Sequence, residues 1–137
     1  MPSDSERLAE ARPWFIKAQQ DLRAAMVLLG VEPPLLGEAA YHCQQAGEKA
    51  LKGFLAWHDD PFGKTHDLGM IGLACVAKDS SLEPLCRRAA SLSVYAWAFR
   101  YPGDTEAPTH GEVEAALELA REVLVALLDR IPEDLQL

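Results

Sequence analysis

The chain has 137 residues, with 13 Lys+Arg against 21 Asp+Glu and a formal net charge of −8. That length suits one domain over 1–137, with a real hydrophobic core and no need of metal or disulfide staples. The acidic balance, with a pI near 4.9, excludes a basic sheath for phosphate backbones and leaves only a local basic site open.

Met1 to Ala11 reads as a loose lead-in: it is polar, has no apolar signal region, and precedes Pro13, which disfavours helical geometry at Arg12. The first firm helix is expected from Pro13, with Trp14, Phe15, Ala18, Leu22, Ala25, Met26 and Leu29 at helical spacing up to Gly30; Pro33-Pro34 enforce the break. A second helix runs from about Leu36 to Trp57 and ends at Asp59-Asp60-Pro61. Its face of Ala40, Cys43, Ala46, Gly47, Ala50 and Leu51 continues through Phe54 and Trp57 and must be buried. On the opposite side Tyr41, Gln45, Glu48 and Lys52 fall in one row. Thr65 is the expected cap of a short third helix, with Asp67 in its first turn and Leu68, Ile71 and Leu73 as anchors. Ser81 is the expected N-cap of a fourth, because Pro84 then occupies the first turn, where a missing N–H costs nothing.

From Ala89 to Phe99 no residue is charged and apolar surface wraps nearly all round, which suits a central helix or a subunit interface; a homodimer is the expected assembly. Arg100 closes that helix on its packed side and there requires a carboxylate or ligand partner. Thr109 and Glu112 form a capping box for the last helix, apolar on one face from Val113 to Leu128 and stopped by Pro132. No stretch alternates as a strand does, so the expected fold is all-α: an antiparallel up-and-down bundle of four to five helices. No apolar run approaches a membrane span, and Cys43, Cys75 and Cys86 form an odd set without a Cys-x-x-Cys pair, so a soluble cytoplasmic protein with reduced thiols is expected.

The candidates for chemistry are few. The row of Tyr41, Gln45, Glu48 and Lys52 offers a phenol, an amide, a carboxylate and an ammonium to a base or phosphate, while Glu48 and Lys52 are equally an ordinary i,i+4 surface pair. Arg100 is the strongest single candidate, since Arg suits a bidentate grip on phosphate or carboxylate; the bland alternative is an ion pair with Asp21 or Asp67. His66 opens a helix beside Asp67, where an imidazole meets a ligand or simply helps close the turn. His42 reads as a helix-flank residue and His110 as part of the capping turn. No ligand cluster suits a metal, and no Gly-rich phosphate loop, nucleophile elbow or Cys/His relay is present, so neither metal nor cofactor is expected.

Trp14, Ala18, Asp21-Leu22 and Ala25, then Tyr41-His42-Cys43-Gln44-Gln45-Ala46-Gly47-Glu48-Lys49-Ala50-Leu51-Lys52, Thr65-His66-Asp67-Leu68 and Arg100-Tyr101-Pro102 resemble the HEPN domain of higher eukaryotes and prokaryotes. The likeness spans almost the whole chain. It implies an up-and-down bundle, commonly dimeric, often working in prokaryotes beside a minimal nucleotidyltransferase, many in toxin and antitoxin pairs. Members have been regarded as nucleotide-binding or as ribonucleases. The family's ribonuclease signature is an Arg, four to six residues, and a His at the dimer cleft. Here Arg100 reaches His110 only after a longer loop holding Pro102 and Pro108, so the spacing departs from the signature. A tyrosine beside that signature can be adenylylated by the partner; Tyr101 adjoins Arg100, but without the motif that role is not carried over.

The leading expectation is accordingly a non-catalytic or weakly catalytic dimer, the binding half of a pair with a nucleotidyltransferase-like protein, holding a nucleotide or RNA end near Arg100 and the polar row. The alternatives are a metal-independent ribonuclease using Arg100 with His110 or His66, and a purely structural interaction module.

Overall fold

A computed structural model describes residues 1–60, 62–99, 101–103 and 106–132. Among them are five α-helices, α1 (Asp4–Gly30), α2 (Leu36–Trp57), α3 (Leu68–Lys78), α4 (Glu83–Ala89) and α5 (His110–Leu128), with 3-10 turns at Ser80–Leu82 and Ala90–Ala96 and no strand. The expected all-α bundle is what forms.

α1 and α2 make an antiparallel hairpin, and the cross-helix contacts record its register. Leu35 N–H donates to the Leu28 carbonyl at the turn, Asp21 meets Lys49, Trp14 meets Lys52, and Arg7 reaches Trp57. A Cβ at Gly53 would stand 2.9 Å from the Phe15 ring, so glycine there is what lets the two helices approach so closely. Phe15, Leu51, Phe54 and Leu55 are buried between them and are joined by Ile71 of α3, Leu82 and Leu92 of the 3-10 turns, and Val123 and Leu127 of α5. Ala39, Ala40 and Val113 form a smaller cluster that brings the first turns of α2 and α5 to the same end of the bundle. α2 is therefore packed against α1, α3, α5 and the second 3-10 turn at once.

Three expected boundaries are corrected. α1 begins at Asp4 rather than Pro13, so the lead-in is helix. Ser3 caps it by accepting from the Glu6 N–H at 3.1 Å, Ala11 has no exposed surface, Leu8 packs on the core, and the Arg7 guanidinium lies 4.0 Å over the Trp57 ring. Pro13 removes one backbone hydrogen bond, and tertiary packing of the earlier turns outweighs that local loss.

The cap of α3 is Asp67, not Thr65. Its carboxylate accepts from the Gly69 and Met70 N–H groups at 2.8 and 3.4 Å, while Thr65 Oγ1 accepts from the Asp67 N–H at 3.0 Å and so steadies the cap itself.

The fourth helix is not one continuous element from Ser81. Asp79, accepting from the Ser81 N–H at 3.0 Å, caps a 3-10 turn, α4 follows, and the chain tightens again to 3-10 over Ala90–Ala96. Serine chemistry explains the second change. The Ser91 hydroxyl donates to the Arg88 carbonyl at 2.8 Å, and Ser93 Oγ accepts from the Leu68 N–H at 2.9 Å, tying this stretch to the start of α3. Nor is the stretch buried on all sides: Leu92 is 1% exposed, whereas Val94 and Trp97 lie open at 39% and 65%. The last helix forms as expected, with both hydrogen bonds of the Thr109–Glu112 capping box present.

Candidate functional site

Gln44, Glu48 and Lys52 follow one another at i, i+4 and i+8 on α2, which stacks their side chains in a line. Glu48 is the hub. Its Oε1 accepts from Gln44 Nε2 at 2.9 Å and its Oε2 from Lys52 Nζ at 3.1 Å, while His66 Nδ1 is shared between the two oxygens at 2.9 and 3.0 Å. Gln44 Oε1 in turn accepts from Gln45 Nε2 at 2.7 Å. The side chains of Glu48 and Lys52 are only 4% and 8% exposed, yet that of His66 is 65% exposed. A carboxylate accepts and does not donate, so Nδ1 of His66 carries the proton, and Nε2 has no hydrogen bond among the described residues. The result is an imidazole at the surface whose orientation is set from within.

Lys52 also leads to a cavity. Its Nζ lies 5.7 Å from the centre of the Trp14 ring, and both residues line a pocket of about 330 Å³ with Arg7, Glu10, Asp59 and Phe62. With Glu6 as well, three carboxylates and two cations share its wall with the Trp14 indole, so the lining is aromatic and of mixed charge.

A second hub was not foreseen. Asp21 of α1 accepts from His42 Nδ1 at 2.8 Å through one oxygen and from Lys49 Nζ at 2.6 Å through the other. The Tyr41 and His42 rings stand edge to face with their centres 5.4 Å apart. The signal for this hub lies in α1: Asp21 stands three residues after Ala18 and four before Ala25, a charge on the face that the core claims.

The HEPN domain family matches residues 11–131 of this chain. The chain belongs to that family. A crystal structure of TT1696 from Thermus thermophilus shares 30% identity with it over 88% of this chain and 98% of that one, with a TM-score of 0.74. Comparison with curated proteins yields no match.

Of the residues singled out in the sequence of this HEPN protein, the fold draws Gln45, Glu48, Lys52 and His66 into one network and leaves others apart. Tyr41 turns to the second hub, beside His42. Asp67 is spent on capping α3. His110, at the start of α5, is bound by Glu114 on its own helix at 2.8 Å and sits at the surface. Arg100 lies outside the described residues. Gln44, fully buried and bonded to Glu48, joins the network from a position that the row of Tyr41, Gln45, Glu48 and Lys52 does not include; its i,i+4 spacing from Glu48 is the signal for it.

Burial pushes the Cys43 thiol up to about 12, with Arg121 countering only in part, and the Cys86 thiol up to about 11. Cys75 is raised as well, again chiefly by burial. All three are protonated and unreactive at neutral pH, which removes thiolate chemistry from consideration. Among the described residues no His, Cys, Asp or Glu group of three or more is placed to hold a metal, and no helix is long and apolar enough to cross a membrane.

Proposed function

We propose that this HEPN protein holds a nucleotide or an RNA end in the groove between the N-terminal half of α1 and the C-terminal end of α2, as the homodimeric binding half of a toxin and antitoxin type pair completed by a nucleotidyltransferase-like protein. The observation that carries this reading is the Lys52 ammonium held between the buried Glu48 and the Trp14 indole at the wall of a cavity of about 330 Å³. In this reading Trp14 stacks on the base and Lys52 meets phosphate, with Gln45 and His66 joined to Lys52 through Gln44 and Glu48; Arg100 is a second phosphate-binding residue, and Asp67 acts through its cap on the His66 turn. The net charge of −8 favours a specific protein partner over broad RNA binding. Exposed Val94, Trp97 and Tyr101 supply apolar surface suited to a second subunit.

The test is a thermal-shift titration of wild type, Arg100→Ala and Trp14→Ala with ATP, other nucleotides and a short RNA, after light scattering has set the oligomeric state. A ligand at 100 times its dissociation constant adds about 2.7 kcal/mol of stability. A raised midpoint that disappears in the Trp14 variant supports the groove as the site. No shift with any ligand, in a well-folded dimer, would sink nucleotide binding and favour a purely structural interaction module.

A second reading, a metal-independent ribonuclease, is favoured by one observation: Glu48 holds Nδ1 of His66 while the ring stays 65% exposed, as a general acid–base group requires. Between the two histidines first considered, this favours His66 over His110, whose carboxylate partner Glu114 is itself exposed. Arg100 keeps the role of stabilising the pentacovalent phosphate.

A further inference from the structure

The cavity beside Trp14 has two unlike ends. Glu6, Glu10 and Trp14 follow one another at i, i+4 and i+8 along α1, and Lys52, Ala56 and Asp59 run back along the end of α2. The antiparallel hairpin therefore sets Trp14 and Lys52 at one end and the carboxylates at the other. We propose that the nucleotide held there is a guanine nucleotide, with the Glu10 carboxylate accepting from the N1–H and the 2-amino group of the base; this inference rests on the nucleotide reading above.

Most of the charged groups on this wall already have partners. Lys52 donates to Glu48 at 3.1 Å. Arg7 donates to Asp4 and to the Trp57 carbonyl, with its guanidinium over the Trp57 ring. Glu6 accepts from the Ser3 hydroxyl at 3.3 Å. Glu10 and Asp59 differ: both are exposed, and among the described residues neither accepts a hydrogen bond or joins an ion pair. Water serves an exposed carboxylate, so a ligand that displaces that water from the cavity must bring donors of its own.

Glu10 is the nearer of the two to the stacking face. It stands one turn from Trp14, about 6 Å along the helix, which the edge of a base stacked on the indole and one hydrogen bond of about 2.9 Å together span. Ala56 lines the same step from α2 with only a methyl group. Asp59 stands seven residues beyond Lys52, about 10 Å along the other wall. A carboxylate carries two acceptor oxygens side by side, and of the four bases guanine alone offers two donors side by side. Adenine and cytosine set one amino group beside a ring nitrogen whose lone pair would face that of Glu10, and uracil sets its N3–H between two carbonyl oxygens. The phosphate, repelled by the carboxylate end, falls to Lys52 at the other. Stacking on Trp14 serves every base alike, so the choice among them rests with Glu10.

The experiment is isothermal titration calorimetry of wild type, Glu10→Gln and Asp59→Asn with GTP, ITP, ATP and XTP, after a denaturation midpoint has checked that each variant is folded. Wild type is expected to bind GTP about tenfold or more tightly than ATP. ITP, which keeps the N1–H but lacks the 2-amino group, should fall between them. Glu10→Gln should lose that preference and turn to XTP, whose N1–H donates to the amide oxygen while its 2-carbonyl accepts from the amide N–H. A variant merely loosened or less charged would not acquire a new base. Asp59→Asn should still prefer GTP. GTP and ATP bound by wild type within about twofold of each other overturn the guanine assignment and leave the nucleotide site standing. A preference for GTP that survives in Glu10→Gln overturns the role of Glu10. Wild type that binds none of the four overturns both the guanine assignment and the nucleotide reading.

Discussion

Glu48 and Asp79 each gather a cation and neighbouring donors, but in opposite surroundings. Asp79 lies at the surface, where it accepts from the Ser81 N–H and hydroxyl and from Arg130 Nε at 2.8 Å. Those bonds, the Ser81 hydroxyl first, hold its carboxyl below the usual carboxylate range. Glu48 makes the same kinds of contact at 4% exposure. Water screens the first set and is excluded from the second, so the loss of one partner is mild at Asp79 and severe at Glu48. A buried ion pair is nonetheless a poor device for stability, because apolar residues of like size fill the space without the desolvation cost. What the Glu48 hub does better than any apolar pair is hold an exposed histidine in one orientation.

The largest effect follows from removing the hub. Glu48→Ala strands the Lys52 ammonium and should cost about 3–5 kcal/mol in a denaturant titration, while Glu48→Met with Lys52→Met should recover most of that loss. A cost for Glu48→Ala below about 1 kcal/mol, the range of an exposed pair, would erase the contrast with Asp79.

A smaller effect concerns His58, packed against the Phe54 ring at 4.5 Å. Burial, then the charges of Lys78 and Arg7, hold its pKa below 6.5. The unfolded chain thus takes up a proton that the folded chain resists. The stability His58 contributes is present above 6.5 and is lost as pH falls from there towards its lower folded value. Midpoints measured across about pH 5 to 8 should decline on the acid side in wild type and decline less in His58→Gln. An equal decline in both would show that this ring is solvated like a surface group.

The smallest effect is expected at Arg88, paired with Glu122 at 2.8 Å in open solvent. Each holds the other charged: a hydrogen bond to Glu122 raises the Arg88 pKa, and the same bond lowers that of Glu122. Arg88→Ala should leave the midpoint unresolved from wild type. A clear loss would mean that surface pairs in this bundle act as more than solvated contacts.

Two of the three long helices, α2 and α5, could be read directly. α2 runs from Leu36 to Trp57 as its apolar periodicity demanded, and the Thr109–Glu112 box starts the last helix. The candidate site was legible only in halves. Glu48 and Lys52 were visible as an i,i+4 pair, but their polarity pointed to an outer face. Burial came instead from α1 on one side and the His66 turn on the other. His66 could be noted beside Asp67, yet nothing near it named Glu48 as its partner. Asp21, His42 and Lys49 were dispersed over two helices and became a site only when the hairpin closed.

Periodicity, capping and chain breaks act within a turn or two of helix, and so the amino-acid order settled the all-α class, the extents of α2 and α5, and the family likeness. Which charges are buried depends on how helices cross. The closeness of α1 to α2 at Gly53, the extension of α1 back through Pro13, and the 3-10 tightening after α4 all arise from contacts between elements. Those contacts decided that Glu48 and Asp21 would be hubs, because desolvation and pairing are fixed by neighbours in space that lie far apart along the chain.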